Sequence, residues 1–140
     1  MEIWSNYSIS FTNHVDPATI EELYKWIEKN DMRGGQLFEE KDGNLISLEK
    51  FTKLVNSNEV FKVEECNIDI YDFDDVLENM VKTFPKVNFE AYIYCSNCTA
   101  GITETGDFSG IDGNYSSDIE PAGYEDEDYW DEDEDFEEEE

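Results

Sequence analysis

Basic residues are scarce in this sequence. It carries 9 lysines and arginines against 37 aspartates and glutamates, which gives a formal net charge of −28 at pH 7. The last basic residue is Lys86, so residues 87–140 contain acids and neither lysine nor arginine. A surface of this sign repels nucleic acid and anionic membranes. We therefore expect no direct binding to either, and we expect a positively charged protein as the partner.

Long apolar runs are also missing. No segment approaches the roughly 18 apolar residues that a membrane-spanning helix requires. The start, Met1–Phe11, has neither the basic segment nor the apolar stretch of a signal peptide. Three cysteines, an odd number, fit a reducing compartment better than a disulfide scaffold. These features together predict a cytoplasmic protein.

Motifs for catalysis are absent as well. The single histidine, His14, has no nucleophile motif, phosphate loop or H-E-x-x-H beside it, so we expect no enzyme and no cofactor. Cys95 and Cys98 form a C-x-x-C pair, which is half of a zinc site, and Cys66 with His14 would have to complete it. A redox pair is the other chemical use of this spacing. The simpler interpretation places Cys95 in the core and Cys98 in a turn, and a metal-binding or redox protein remains an alternative.

A folded core is nevertheless expected, because 39% of the residues are hydrophobic and 14% are aromatic. Alternating apolar residues predict strands over 4–11, 60–71, 87–95 and 102–108, with Tyr92 and Tyr94 on the polar side of the third of these. Asp16-Pro17 begins one amphipathic helix, and Asp72 is predicted to cap a second that Pro85 ends. Between them, Asp42-Gly43 signals a hairpin turn. Ser47 is suited to cap a short further helix.

These elements predict an α+β fold with a mainly antiparallel sheet and two helices on one face, in a ferredoxin-like arrangement. The predicted domain covers residues 1–113. Residues 114–140 are interpreted as a linker followed by a disordered acidic tail, since 13 of the acids fall between positions 125 and 140.

Three short stretches resemble a known group. Residues 6–11 (NYSISF) resemble the opening strand of small YubB-like proteins, and FEAY at 89–92 with GDFSG at 106–110 resembles their closing strands. The tryptophan-rich middle of that group is missing here. The resemblance implies a ferredoxin-like fold carried on phages or plasmids, and it implies no catalytic residue.

The charge favours a mimic of nucleic acid. Duplex DNA presents one negative charge per roughly 1.7 Å of its axis, and carboxylates at comparable density would occupy a basic groove. In charge and size the chain is similar to acidic DNA-mimic inhibitors of the anti-CRISPR and anti-restriction type. The expected partner is a basic nucleic-acid-binding protein, such as a nuclease or defence effector. The alternative is an accessory or chaperone-like protein whose acidic tail masks a basic client.

The predicted contact residues carry carboxylates or aromatic rings and form two groups. Aromatic rings set among carboxylates complement grooves that bind single strands, which offer basic side chains and stacking surfaces. In the body, around the predicted strand 60–71 and the second helix, the residues are Glu64, Glu65, Asp69, Asp72, Asp74 and Asp75. In the tail they are Glu125, Asp126, Asp128, Tyr129, Trp130, Asp131, Asp133, Asp135 and Phe136.

Overall fold

Five strands and three helices make up the part of the chain that the structure, a computed structural model, describes: residues 3–32, 34–97 and 101–122. The strands are β1 (Trp4–Phe11), β2 (Val60–Cys66), β3 (Phe89–Ser96), β4 (Glu104–Ile111) and β5 (Asn114–Pro121). The helices are α1 (Pro17–Lys29), α2 (Leu48–Ser57) and α3 (Ile70–Thr83). The predicted tail contacts, from residue 125 onward, lie outside the described residues.

The strands form one sheet in the order β2-β1-β3-β4-β5, and every neighbouring pair is antiparallel. This confirms the predicted α+β class and its antiparallel sheet. The ferredoxin-like arrangement is not confirmed, because that fold follows the order β-α-β-β-α-β. Here α1 and α2 both precede β2, and three consecutive strands follow α3. The short helix predicted after Ser47 is confirmed as α2, which Ser47 caps, so the count of two helices in the predicted architecture is wrong.

The helices cover one face of the sheet, where alternate strand residues are buried. Phe11 of β1 lies 5.9 Å from Phe51 of α2, measured between ring centroids. Phe73 of α3 lies 5.0 Å from Tyr7 of β1 and 5.4 Å from Phe108 of β4. Aromatic pairs at these distances add to the free energy that burial of apolar surface supplies. The core is therefore a single layer between the sheet and the helices, in which these rings pack among aliphatic side chains.

The start of α3 differs from the prediction. The strand was expected to continue to Tyr71, but β2 ends at Cys66 and α3 begins at Ile70. Asp69 is the cap, accepting a 3.1 Å hydrogen bond from the backbone N–H of Tyr71, so the prediction of Asp72 as cap is wrong. Ile68 and Ile70 alternate as in a strand, yet both are buried against the core on either side of the cap. Alternation over so few residues does not separate a strand from a helix start.

The interpretation of residues 114–121 as a linker is wrong, because they form β5. Asp112 and Gly113 have φ angles of 53° and 82°, the backbone that a two-residue type I′ hairpin turn requires. The predicted boundary at Gly113 thus falls inside a β-hairpin. Tyr115 and Ile119 are half-buried against the helix layer, while the polar residues of β5 are exposed. The sequence signal for this hairpin was an Asp-Gly dipeptide. It lies between two polar strands, in which apolar alternation is weak.

Two tyrosines on the helix side make the stability sensitive to alkaline pH. Burial raises the pKa of Tyr7, and burial with the hydrogen bond to Asp74 raises the pKa of Tyr115. In an unfolded chain the pKa of tyrosine is about 10. A tyrosine whose pKa is higher in the folded than in the unfolded state contributes its full stabilisation below the unfolded pKa. This contribution is lost as pH rises from the unfolded pKa toward the folded one. We expect the free energy of unfolding to fall progressively as pH rises above about 10.

The Tyr115→Phe variant tests how much Tyr115 contributes to the loss of stability at alkaline pH. The variant loses the 2.5 Å hydrogen bond from the Tyr115 hydroxyl to Asp74 Oδ1, which costs about 1 kcal/mol at neutral pH. Its stability should then decline less steeply with alkaline pH than that of the unmodified chain, since one titrating group is gone. Urea unfolding at several pH values measures both slopes. Identical slopes would contradict a role for Tyr115 in alkaline unfolding.

Candidate functional site on the open sheet face

The face of the sheet opposite the helices is exposed in the described part of the chain, and we call it the open sheet face. Strand pairing aligns its side chains in rows. One row is Ser8, Tyr92, Asp107 and Asp118, and the rows on either side are Ser10, Glu90, Ser109 and Ser116, and Asn6, Tyr94, Thr105 and Glu120. Trp4 lies beyond the last of these rows, on β1. The antiparallel register therefore gathers residues from four separate strands onto one surface.

Four carboxylates dominate this surface: those of Glu90, Asp107, Asp118 and Glu120. All four residues are exposed, and none makes a hydrogen bond or ion pair with another described residue. Strands β3, β4 and β5 contain no lysine or arginine, and the cation on this face is Lys62 of the edge strand β2, opposite Ser8. Asp107 and Asp118 are directly opposite each other in the β4–β5 pairing. Like charges in that position cost about 0.2–1 kcal/mol of stability, so the arrangement is unfavourable for folding alone.

Aromatic rings stand beside the carboxylates. Trp4 and Tyr92 are each 40% exposed, and Trp4 contacts Tyr94 edge-to-face with 6.1 Å between ring centroids. Tyr92 pairs with Asp107 across β3 and β4. Partial burial and the nearby Asp107 charge raise the pKa of Tyr92. The phenol O–H of Tyr92 can donate a hydrogen bond to a ligand.

A shallow depression of about 310 Å³ lies on the same face. Its lining includes the carboxylates of Glu90, Asp107 and Asp118. Ser109 and Ser116, which pair across β4 and β5, also line it, and their short side chains leave the space open. The depression thus combines acidic walls with hydroxyl groups and an open side toward solvent.

The predicted body residues lie in two places, on the edge strand β2 and on or beside the helix α3. Glu64 and Glu65 lie at a β-bulge opposite Asn6, where the Glu65 N–H donates a 2.8 Å hydrogen bond to Asn6 Oδ1. Asp74 instead contacts Tyr115 of β5. Strands β2 and β5 are the two edges of the sheet, about 19 Å apart at the usual strand spacing. These acids are therefore divided between β2 and α3, and their role as partner contacts stays a prediction.

The remaining predicted body residues lie on or beside α3. Asp69 is 1% exposed and serves as its cap, so it is not available to a partner. Asp72 is half-buried in the first turn, and Asp75 is exposed one turn further along. Sequence analysis missed Glu90, Asp107, Asp118 and Glu120 as a group. Alternation placed Glu90 on the polar side of β3, but the other three became its neighbours only through the register of β4 and β5.

Asp69→Ala should lower the free energy of unfolding without weakening partner binding. The change removes the cap of α3 and leaves its first-turn N–H groups unsatisfied, at a cost of about 1–2 kcal/mol. Asp75→Ala, an exposed residue of the same helix, should change stability by less than about 0.5 kcal/mol. Urea unfolding of the two variants measures the difference. Equal stabilities would contradict the capping role of Asp69.

The cysteine and histidine residues do not assemble a metal centre in the described ranges. Cys95 is buried in the core, in agreement with the simpler interpretation, and Cys98 lies outside the described residues. Cys66 and Cys95 both pair with Ser5 from opposite sides, about 10 Å apart and too far for a disulfide. His14 follows the other end of β1. Within these ranges no three His, Cys, Asp or Glu side chains are grouped for a metal ion.

A second, larger groove of about 600 Å³ runs along the free edge of β2. Its lining includes Phe61 and Val63 together with charged residues of both signs, among them Glu39, Lys41 and Lys62. Four glutamates and two lysines line this groove, so the lysines offset part of its negative charge. The open sheet face, with four carboxylates on β3, β4 and β5 beside exposed rings, is the stronger candidate site.

None of the helices described here has the length and apolar character that crossing a membrane requires. Neither a known protein family, nor a curated protein, nor a solved structure matches this chain.

Proposed function

We propose that this protein is an inhibitor that mimics nucleic acid and occludes the basic groove of a nucleic-acid-binding protein. The observation that carries the proposal is the set of four uncompensated carboxylates on the open sheet face. Fold stability alone would not favour Asp107 opposite Asp118. The positive charge of a basic partner would offset that repulsion, so a role in binding explains why the two acids face each other.

The acids of this face are regularly placed. Asp107 and Asp118 share one row, and Glu90 and Glu120 stand one row to either side, so the four charges occupy three rows about 6.8 Å apart along the strands. This is a lower linear density than the one charge per roughly 3.4 Å of a single strand of duplex DNA. A groove that accepts a phosphate backbone would still meet negative charge at regular intervals here.

The proposal extends to the partner and the setting. The partner is a basic protein such as a nuclease or defence effector, and the inhibitor acts in the cytoplasm by occupying the groove, without turnover. The acidic residues 125–140 act as a second arm. The resemblance to YubB-like proteins adds a phage or plasmid origin and a ferredoxin-like ancestry. Restriction or CRISPR effectors are the corresponding class of target.

Salt and nucleic acid should both displace the partner. Proteins captured from a lysate by the immobilised full chain at about 50 mM salt should elute progressively up to about 500 mM, because the screening length falls to a few ångströms. Duplex DNA or RNA should compete at low salt, while a neutral polymer should not. A captured protein that is retained across the whole salt range, with nucleic acid bound beside it, would refute mimicry.

A further inference from the structure

We propose that the open sheet face recognises arginine, and that the depression between Glu90, Asp107 and Asp118 beside Tyr92 binds the guanidinium group of a partner side chain. This inference rests on the proposed function and names the side chain that the basic partner supplies. It commits to arginine over lysine, whereas charge attraction alone would not distinguish them.

The carboxylates have the arrangement that a guanidinium needs. Asp107 and Asp118 face each other across β4 and β5, and Glu90 closes the third side of the depression. Opposed carboxylates stand about 5 Å apart between Cβ atoms, which lets one planar group bond to both. Guanidinium presents five N–H donors in a fixed fork, and none of these acceptors is engaged by another described residue.

The aromatic ring of Tyr92 adds a stacking surface to this acidic site. It is the cross-strand neighbour of Asp107 and is 40% exposed, so its ring is accessible beside the depression. A guanidinium plane bound to Asp107 would lie within stacking distance of that ring. Arginine stacks on aromatic faces through both its charge and its planar π system. The four acids already make this face soluble, so solubility does not explain an exposed ring at this position.

Lysine fits the same place less well. Its ammonium is a compact and strongly hydrated charge that does not stack as a plane and does not bond two carboxylates in a fork. Ser109 and Ser116 line the depression with short side chains, which leaves room for the wider guanidinium. Electrostatic attraction to the four acids is common to both side chains, so the geometry of the depression and the ring decide the preference.

The test compares acetylated oligo-arginine with oligo-lysine of equal length on the full chain. Calorimetry should give about a 5- to 10-fold tighter dissociation constant for oligo-arginine. Amide NMR signals of Tyr92, Asp107 and Asp118 should shift with oligo-arginine. Tyr92→Phe, which keeps the ring, should retain the preference, and Tyr92→Leu should reduce the ratio to about 1–2. Glu22→Gln, an exposed charge on α1, should leave the ratio unchanged.

Each result is decisive. The inference is supported if tighter binding of oligo-arginine depends on an aromatic ring at position 92 and the amide NMR signals of the depression shift. Equal affinity for the two peptides with shifts on the open sheet face overturns the arginine inference and leaves nucleic acid mimicry standing. Binding with shifts only elsewhere in the chain overturns the assignment of the site. Failure of both peptides to bind overturns the arginine inference and the proposed function together.

Discussion

Neutralising the four carboxylates of the open sheet face should lower the affinity for the basic partner about 100-fold. Each exposed charge contact contributes about 0.5–1 kcal/mol, and about 1.4 kcal/mol corresponds to a factor of ten. Four lost contacts therefore remove about 2–4 kcal/mol. The variant replaces each acid by its amide: Glu90→Gln, Asp107→Asn, Asp118→Asn and Glu120→Gln.

The matched control changes the same amount of charge on other surfaces. Four exposed glutamates outside the sheet face are replaced by glutamine, at Glu21, Glu22, Glu49 and Glu59. Because both variants gain four units of charge, any difference in affinity reports the position of the acids and not the net charge. The control should lose less than about 5-fold, since distant charges act mainly on association rate.

Stability should change in the opposite direction to affinity. Removing the repulsion between Asp107 and Asp118 should raise the free energy of unfolding by about 0.2–1 kcal/mol. A more stable protein that binds more weakly would show that these acids serve binding at the expense of the fold. If the sheet-face variant binds its partner as tightly as the unmodified chain, the open sheet face is not the contact surface. The accessory protein whose tail masks a client would then be favoured.

Phe73→Ala should lower the free energy of unfolding by about 3–5 kcal/mol. Phe73 is fully buried and contacts rings of two strands, Tyr7 on β1 and Phe108 on β4. Its removal leaves a cavity where α3 packs on the middle of the sheet. Since small domains are stable by only about 5–15 kcal/mol, the variant should unfold at far lower urea concentration.

Tyr92→Ala is the control on the opposite face of the same sheet. Tyr92 is 40% exposed and contributes little to the core, so its loss should cost less than about 1.5 kcal/mol. Urea unfolding followed by circular dichroism compares the two aromatic truncations. Comparable losses in the two variants would mean that the open sheet face is also packed in solution, and its assignment as a binding surface would fail.

The sequence alone was sufficient for features that depend on neighbouring residues. Alternation over residues 4–11 and 87–95 predicted β1 and β3, because a buried sheet face selects apolar side chains with a period of two. Asp16-Pro17 marked the start of α1, since a cap and a fixed φ act within one turn. The excess of acids, and the absence of lysine and arginine after Lys86, were equally plain from composition.

Only the tertiary structure decided which acids belong together. Asp69 and Asp72 both suit a helix start, and packing of Ile68 and Ile70 into the core selected Asp69. Glu64 and Asp74 are ten positions apart in sequence but lie at opposite edges of the sheet, because β1, β3 and β4 separate β2 from β5. Asp107 and Asp118 meet through the hairpin at Gly113. Pairing between strands is a long-range choice, so the local pattern of charges did not determine the site.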